Sequence, residues 1–246
     1  MIQSFLVRGM LVGLVAGLLA VAFAHTFGEP NVDAAIGFED AMHAAEAQAA
    51  IAAGQPAPAP EMEIVSRPVQ ASIGLFTGVV VYSAAFGGIF ALVFAFAWGR
   101  AGRLSPRALA AIIAIVGYVA VVVVPQLKYP ANPPSVGQPD TIALRTWVFL
   151  AMLLVSILAA AAATYLRANL TRRLGGWNAT LVAAAAFVVV VLIGMAVLPD
   201  INEVPKNFPA VTLWQFRLAS LGTQAVLWAT LGLAFGWLTE RSLASR

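Results

Sequence analysis

Residues 73–98 read IGLFTGVVVYSAAFGGIFALVFAFAW, 26 in succession without a charged side chain. Wound as an α-helix at about 1.5 Å per residue, the stretch is about 39 Å long, more than the ~30 Å of a bilayer's hydrocarbon core. Its apolar residues do not alternate with polar ones at period two, so it does not read as a strand of a membrane barrel. In hydrocarbon the backbone must satisfy its own hydrogen bonds, which leaves the helix.

The rest of the chain is of the same kind. Of its 246 residues 61% are hydrophobic and 10% charged, against roughly 25% charged in a soluble domain, and the mean hydropathy is +0.88. The sequence is that of an all-α integral membrane protein, one membrane domain over residues 1–246. Six spans are expected, at Phe5–Phe27, Ile73–Trp98, Arg107–Gln126, Ile142–Leu166, Trp177–Leu198 and Leu213–Leu238. The first ends in AFAH, where Ala22 and Ala24 imitate a signal-peptidase site. Its apolar core is long for a signal peptide, and it is read as an uncleaved helix.

Charge gives this bundle an orientation. In a six-span arrangement Arg8, Arg100, Arg103, Arg107, Arg167, Arg172, Arg173, Arg241 and Arg246 fall on one side, which the positive-inside rule makes cytoplasmic. Glu29, Asp33, Glu39, Asp40, Glu46, Glu61, Glu63, Asp140, Asp200 and Glu203 fall on the other, and Glu240 is the exception. Both termini are therefore expected inside. Residues 28–71 form an external loop with a helix-like acidic first half and a proline-rich second half, GQPAPAPEMEIVSRP, expected to be an extended and mobile linker.

Two connectors repeat. Pro130–Pro134 (PANPP) and Pro205–Pro209 (PKNFP) share P-x-N-x-P; each follows an apolar run ending in proline, Pro125 or Pro199, and each precedes an arginine at a helix start, Arg145 or Arg217. A duplicated helical hairpin explains this economically, and an even number of spans per unit makes the copies parallel. Thr77 and Tyr82 match Thr223 and Trp228 as traces of a third copy. Proline fixes φ and asparagine bonds nearby backbone, so each connector is expected to be a rigid turn supplying acceptors to its arginine.

The chemistry available is narrow. No cysteine is present, which removes disulfides, thiolate metal sites and iron–sulfur ligation together. No phosphate-binding glycine loop and no serine–histidine–acid set occurs, so an enzyme is not expected. A net charge of +3 spread over short loops leaves nucleic acid an unsuitable partner. Two groups of residues remain. His25 and Glu29 stand four apart at the end of the first run, and Glu39, His43 and Glu46 share a helical face beyond it. With Asp33 they could attract or ligate a divalent cation through imidazole and carboxylate, or they could form a solvated acidic helix in which Glu39 and His43 pair. Arg145 and Arg217, with Asn132 and Asn207 in the connectors, could clasp the fold or take part in gating or anion chemistry. Gly9, Gly13 and Gly17 form a small-residue stripe suited to close helix packing.

Several longer stretches have a family likeness. GEPNVDAAIGFED, SRPVQASIGLFTGVVVYSAAFGGIFALVFAFAWGR, PQLKYPANPPSVGQPDTIALRT, LGGWNATL and EVPKNFPAVTLWQFRLASLGTQAVLWATLGLAFG resemble the CbtA family of predicted cobalt transporter subunits in its actinobacterial form. The resemblance implies a multi-pass bacterial plasma-membrane protein of cobalt uptake, with a small single-span CbtB-like partner, and it marks His25, Glu29, Pro30, Asp33, Glu39 and the P-x-N-x-P connectors with Arg145 and Arg217. No permanently bound cofactor is implied; cobalt or another divalent cation would be the substrate. The function expected is a membrane subunit that collects the cation at an acidic, histidine-bearing external face and passes it through six helices. The spans contain no Asp, Glu, His or Lys in their apolar cores, which favours a subunit acting with partners, as a homo-oligomer or in a larger complex. The same lack supports the alternative, a structural or assembly subunit that transports nothing.

Overall fold

The computed structural model describes residues 2–56, 64–102 and 104–244, and over them the chain is helical without strands. Glu61, Glu63, Arg103, Arg246 and part of the proline-rich linker lie outside the described residues. The helices are α1 (Ile2–Phe23), α2 (Glu29–Ala52), α3 (Arg67–Val69), α4 (Leu75–Ala97), α5 (Pro106–Gly117), α6 (Val124–Lys128), α7 (Ile142–Val197), α8 (Ala210–Thr230) and α9 (Gly236–Ala244).

Several of these run on into one another through wider π-helical turns, at Ala24–Gly28, Gln70–Gly74, Tyr118–Val123 and Leu231–Phe235. Two of the four have a local cause. A proline cannot donate to the carbonyl four residues back and its ring presses on it. For Pro30 that carbonyl belongs to Thr26, and for Pro125 to Val121, both inside a π turn. Widening the turn lets the helix continue past the proline.

Five helical stretches are long and apolar enough to cross a membrane: Ile2–Ala52, Arg67–Ala97, Pro106–Lys128, Pro139–Val197 and Ala210–Ala244. Six were expected, and the difference lies in α7. It takes in both Ile142–Leu166 and Trp177–Leu198, but Gly175 inside it has φ 75° and ψ 165°, a conformation open in practice to glycine alone. There the chain doubles back. Arg167 Nε donates to Thr180 Oγ1 at 2.8 Å, although residues 13 apart in a straight helix would be about 20 Å apart. Gly194 packs against Val155 and Met152 of the other arm.

The chain forms two compact units. The first comprises residues 1–111, 131–137 and 204–246, and the second residues 112–130 and 138–203. In the first, α1 packs along α4 on the glycine stripe. A Cβ on Gly9 would overlap the Gly87 carbonyl, one on Gly13 the Ser83 carbonyl, and one on Gly87 the Gly9 carbonyl. Next to this crossing Phe5, Phe94 and Phe235 meet edge to face, with centroids 5.5 Å apart for Phe5–Phe94 and 5.0 Å for Phe94–Phe235. α4 stops at Gly99, whose φ of 83° suits a residue without Cβ. Near the chain ends Arg107 pairs with Glu240, and Arg8 donates to the buried Thr239 hydroxyl at 3.2 Å. Glu240, the exception to the expected sorting of charges, is thus matched by an arginine.

In the second unit Val124, Met152, Ala159 and Val191 form the buried centre, joining α6 to both arms of α7. Lys128 pairs with Asp200, and the Tyr129 hydroxyl donates to the Pro199 carbonyl at 2.7 Å, tying the end of α6 to the end of α7.

Candidate functional site

The first unit gathers most of the residues singled out in the sequence at one end of α1, α4 and α8. The π turn at Ala24–Gly28 carries α1 into α2 and places His25 on the surface. One turn later Asn31 is buried, its Nδ2 donating to the Phe27 carbonyl at 2.8 Å. Glu29 and Asp33, one helical turn apart, both bind Arg67 at the start of α3; Arg67 Nε donates to Asp33 Oδ1 at 2.9 Å, and its Nη2 takes Glu29. Arg67 escaped the sequence analysis. It is the only arginine or lysine between Gly28 and Gln70, and that isolation among seven carboxylates was the signal available.

Farther along α2 Glu39 is half-buried and His43 and Glu46 are exposed, and no ion pair joins Glu39 to His43 among the described residues. Nor do the described residues contain three or more His, Asp or Glu side chains grouped to hold a metal ion. His25, Glu29, Asp33, Glu39, His43 and Glu46 are therefore strung along the π turn and α2 without forming a ligand cluster, with Glu29 and Asp33 already engaged by a guanidinium.

Both P-x-N-x-P connectors reach this end of the first unit. Ala35 of α2, Val136 of the first connector and Phe208 of the second are buried together, with Phe38, Val204 and Leu213 around them. Phe38 and Phe208 meet at 5.1 Å, and the Ser135 hydroxyl donates to the Ala35 carbonyl at 3.1 Å. Arg217 near the start of α8 closes the arrangement by donating to Asn132 Oδ1 at 2.9 Å and to the Ala131 carbonyl at 3.3 Å. Asn207 is exposed in the second connector and has no hydrogen-bond partner among the described residues.

In the second unit Arg145 Nη2 donates to the Gln138 carbonyl at 3.1 Å, and its Nε lies 3.5 Å from Glu203 Oε2. Glu203 also receives the Gln138 amide at 2.7 Å. The Thr141 hydroxyl, the Gln138 amide and the Arg145 charge together hold the Glu203 carboxyl below the usual carboxylate range. The expected arginine-to-connector bonding thus has a crossed component. Arg217, after the second connector, holds the first; Arg145, after the first, holds the acid that opens the second as well as a carbonyl next to its own.

The family described as probable cobalt transporter subunit (CbtA) matches residues 2–240. The chain belongs to the CbtA family. This CbtA protein is accordingly a multi-pass membrane protein of a cobalt transporter class, and that class is not one of enzymes. No curated protein and no solved structure matches the chain.

Proposed function

We propose that this CbtA chain is the membrane subunit of an uptake system for cobalt or a related divalent cation. The family match along nearly the whole chain carries the reading. In the reading, α7 crosses the bilayer twice, giving six spans in one membrane domain, with both termini cytoplasmic and residues 28–71 outside. The repeated connectors then lie on the outer face, each joining the two helices of a hairpin, and the two hairpins have the same orientation.

On that face α2 presents Glu29, Asp33, Glu39, Asp40 and Glu46, with Arg67 as the opposing charge. A negative rim raises the local concentration of a hydrated cation before any ligand binds it. His25 and His43 add imidazole, which cobalt(II) accepts along with carboxylate. The family places the chain with other subunits, and a small single-span partner of the CbtB kind completes the proposed system.

Cobalt accumulation at limiting external cobalt, measured in cells with and without the gene, tests the reading. Uptake should fall when the gene is removed; unchanged uptake would favour the assembly subunit instead. His25→Ala combined with His43→Ala should weaken Co²⁺ binding and flatten its pH dependence between roughly pH 5 and 8, where free imidazole titrates. Superimposable isotherms would leave both histidines out of the capture step.

A further inference from the structure

The second unit separates its charges along α7. Its carboxylates, Asp140, Asp200 and Glu203, stand just outside the two ends of that helix. Around Gly175, where the chain doubles back, lie Arg167, Arg172 and Arg173, and no aspartate or glutamate occurs from residue 141 to residue 199. The fold thus gathers three cations at the tip of the hairpin and keeps every counter-charge of the unit at the opposite end.

The other arginines show what sets this tip apart. Among the described residues Arg67, Arg107 and Arg145 meet carboxylates, Arg8 and Arg217 donate to protein oxygens, and Arg100 and Arg241 lie over the rings of Phe96 and Trp237 at 4.8 and 4.5 Å. Arg167 uses only its Nε, on Thr180. Arg172 and Arg173 are exposed and have, among the described residues, neither hydrogen bond, ion pair nor ring. Their neighbours are not those of a solvated charge. Tyr165 is 72% exposed, Trp177 is 75% exposed, and Leu174 is exposed between them. Rings so uncovered suit the boundary between hydrocarbon and headgroups, where an apolar body meets lipid and a polar edge meets water.

We propose that the tip of α7 is a docking surface for anionic lipid headgroups, with Arg172 and Arg173 as its phosphate contacts and Arg167 beside them. The assignment goes beyond the uptake reading and requires only that α7 cross the bilayer twice. Its depth fits. Trp147, 71% exposed near the start of the first arm, precedes Tyr165 by 18 residues (165 − 147), about 27 Å along the axis and close to the ~30 Å of hydrocarbon. Arg167 then lies about 3 Å and Arg173 about 12 Å beyond Tyr165 along the arm, and long arginine side chains can reach back to the headgroups from there. A guanidinium fork matches paired phosphate oxygens, and a net negative headgroup is favoured over a zwitterionic one. A free phosphate is the poorer occupant: the arginines are open to water, whereas the bilayer holds headgroups against them at high local concentration.

The test titrates the full chain, in detergent micelles, with phosphatidylglycerol or phosphatidylcholine and counts bound lipids by native mass spectrometry. The parent should retain phosphatidylglycerol in preference to phosphatidylcholine. Arg172→Gln combined with Arg173→Gln should weaken phosphatidylglycerol binding about 25-fold, about fivefold for each basic residue at an anionic surface, and leave phosphatidylcholine unchanged. Arg172→Lys combined with Arg173→Lys should keep most of the preference, because the charge remains. Without added lipid the glutamine variant should melt with the parent, since neither side chain has a partner to lose. Equal phosphatidylglycerol binding by parent and glutamine variant would overturn the surface, and so would an equal loss of both lipids. Displacement of phosphatidylglycerol by inorganic phosphate at constant ionic strength would also overturn it, by showing a site for free anions. Each of these results leaves the uptake reading where it stands, because none involves cobalt.

Discussion

Arg217 illustrates how much one guanidinium does at a membrane boundary. It bonds the side chain of Asn132 and the carbonyl of Ala131 with different nitrogens, a fork that an ammonium cannot copy. Arg217→Ala should destabilise the chain by about 1–3 kcal/mol, the cost of charge-assisted bonds lost and acceptors stranded. Arg217→Lys should recover part of that. Thermal unfolding in detergent checks both; an alanine variant melting with the parent would show that the connector stands without its clasp. Glu203 gives a test in pH. Its folded pKa lies below the ordinary value because Thr141, Gln138 and Arg145 favour the carboxylate. Its contribution is therefore complete above the unfolded pKa of about 4.3 and disappears as pH falls through the lower folded value. The melting temperature of the parent should fall more steeply than that of Glu203→Gln as the pH drops from about 6 towards 3.5; parallel profiles would mean the carboxylate is not stabilised by the fold.

At the scale of elements, the contact between α1 and α4 is the least forgiving. The Cβ of Gly13→Ala would strike the Ser83 carbonyl, a backbone atom that cannot swing aside, whereas Gly37 of α2 has open space where its Cβ would be. Gly13→Ala should sharply lower the yield of folded protein. Gly37→Ala should be neutral or raise stability by about 0.5–1 kcal/mol through helix propensity. Detergent-resistant monodisperse protein and its melting temperature measure the contrast, and equal behaviour of the two variants would contradict the close crossing. Gly9, Gly13 and Gly17 were legible in the sequence because small residues at helical spacing have one common use. The helical α2 also follows from its alanine-rich, proline-started sequence. The π turns were not legible: hydropathy averages over them, and a proline in an apolar run does not say whether the helix will stop, kink or widen. The continuity of α7 was hidden for the opposite reason, since Gly175 reads as a break and the structure folds the helix there with scarcely any loop.

The whole molecule was legible as a membrane bundle because uncharged runs of this length have one stable conformation in lipid. Less legible was which acid meets which base. Arg67 taking Glu29 and Asp33, and the exchange between the two connectors, depend on packing of segments far apart in sequence, and single-chain periodicity carries no such information. The proposed six crossings make a prediction at this scale. The chain has no native cysteine, so single cysteines can be introduced against a clean background. Those at Ala131 and Lys206 should react with an impermeant thiol reagent in intact cells, and one at Leu174, beside the fold in α7, only after lysis. Labelling of Leu174→Cys from outside, or protection of the two connectors, would refute the arrangement.

The exchange between connectors also sets a schedule for synthesis. Arg217 emerges from the ribosome when Asn132, its partner, is already 85 residues old. Arg145 is in the reverse position, because Glu203 follows it by 58 residues (203 − 145). At about 5–20 residues per second that is an interval of roughly 3–12 s during which Arg145 can rely only on the Gln138 carbonyl of its own connector. The later hairpin completes the earlier one. A nascent chain halted before Glu203 has emerged from the ribosome should therefore stay bound to the insertion machinery longer than one halted after it has emerged, a difference that crosslinking of stalled chains of increasing length would reveal as a step.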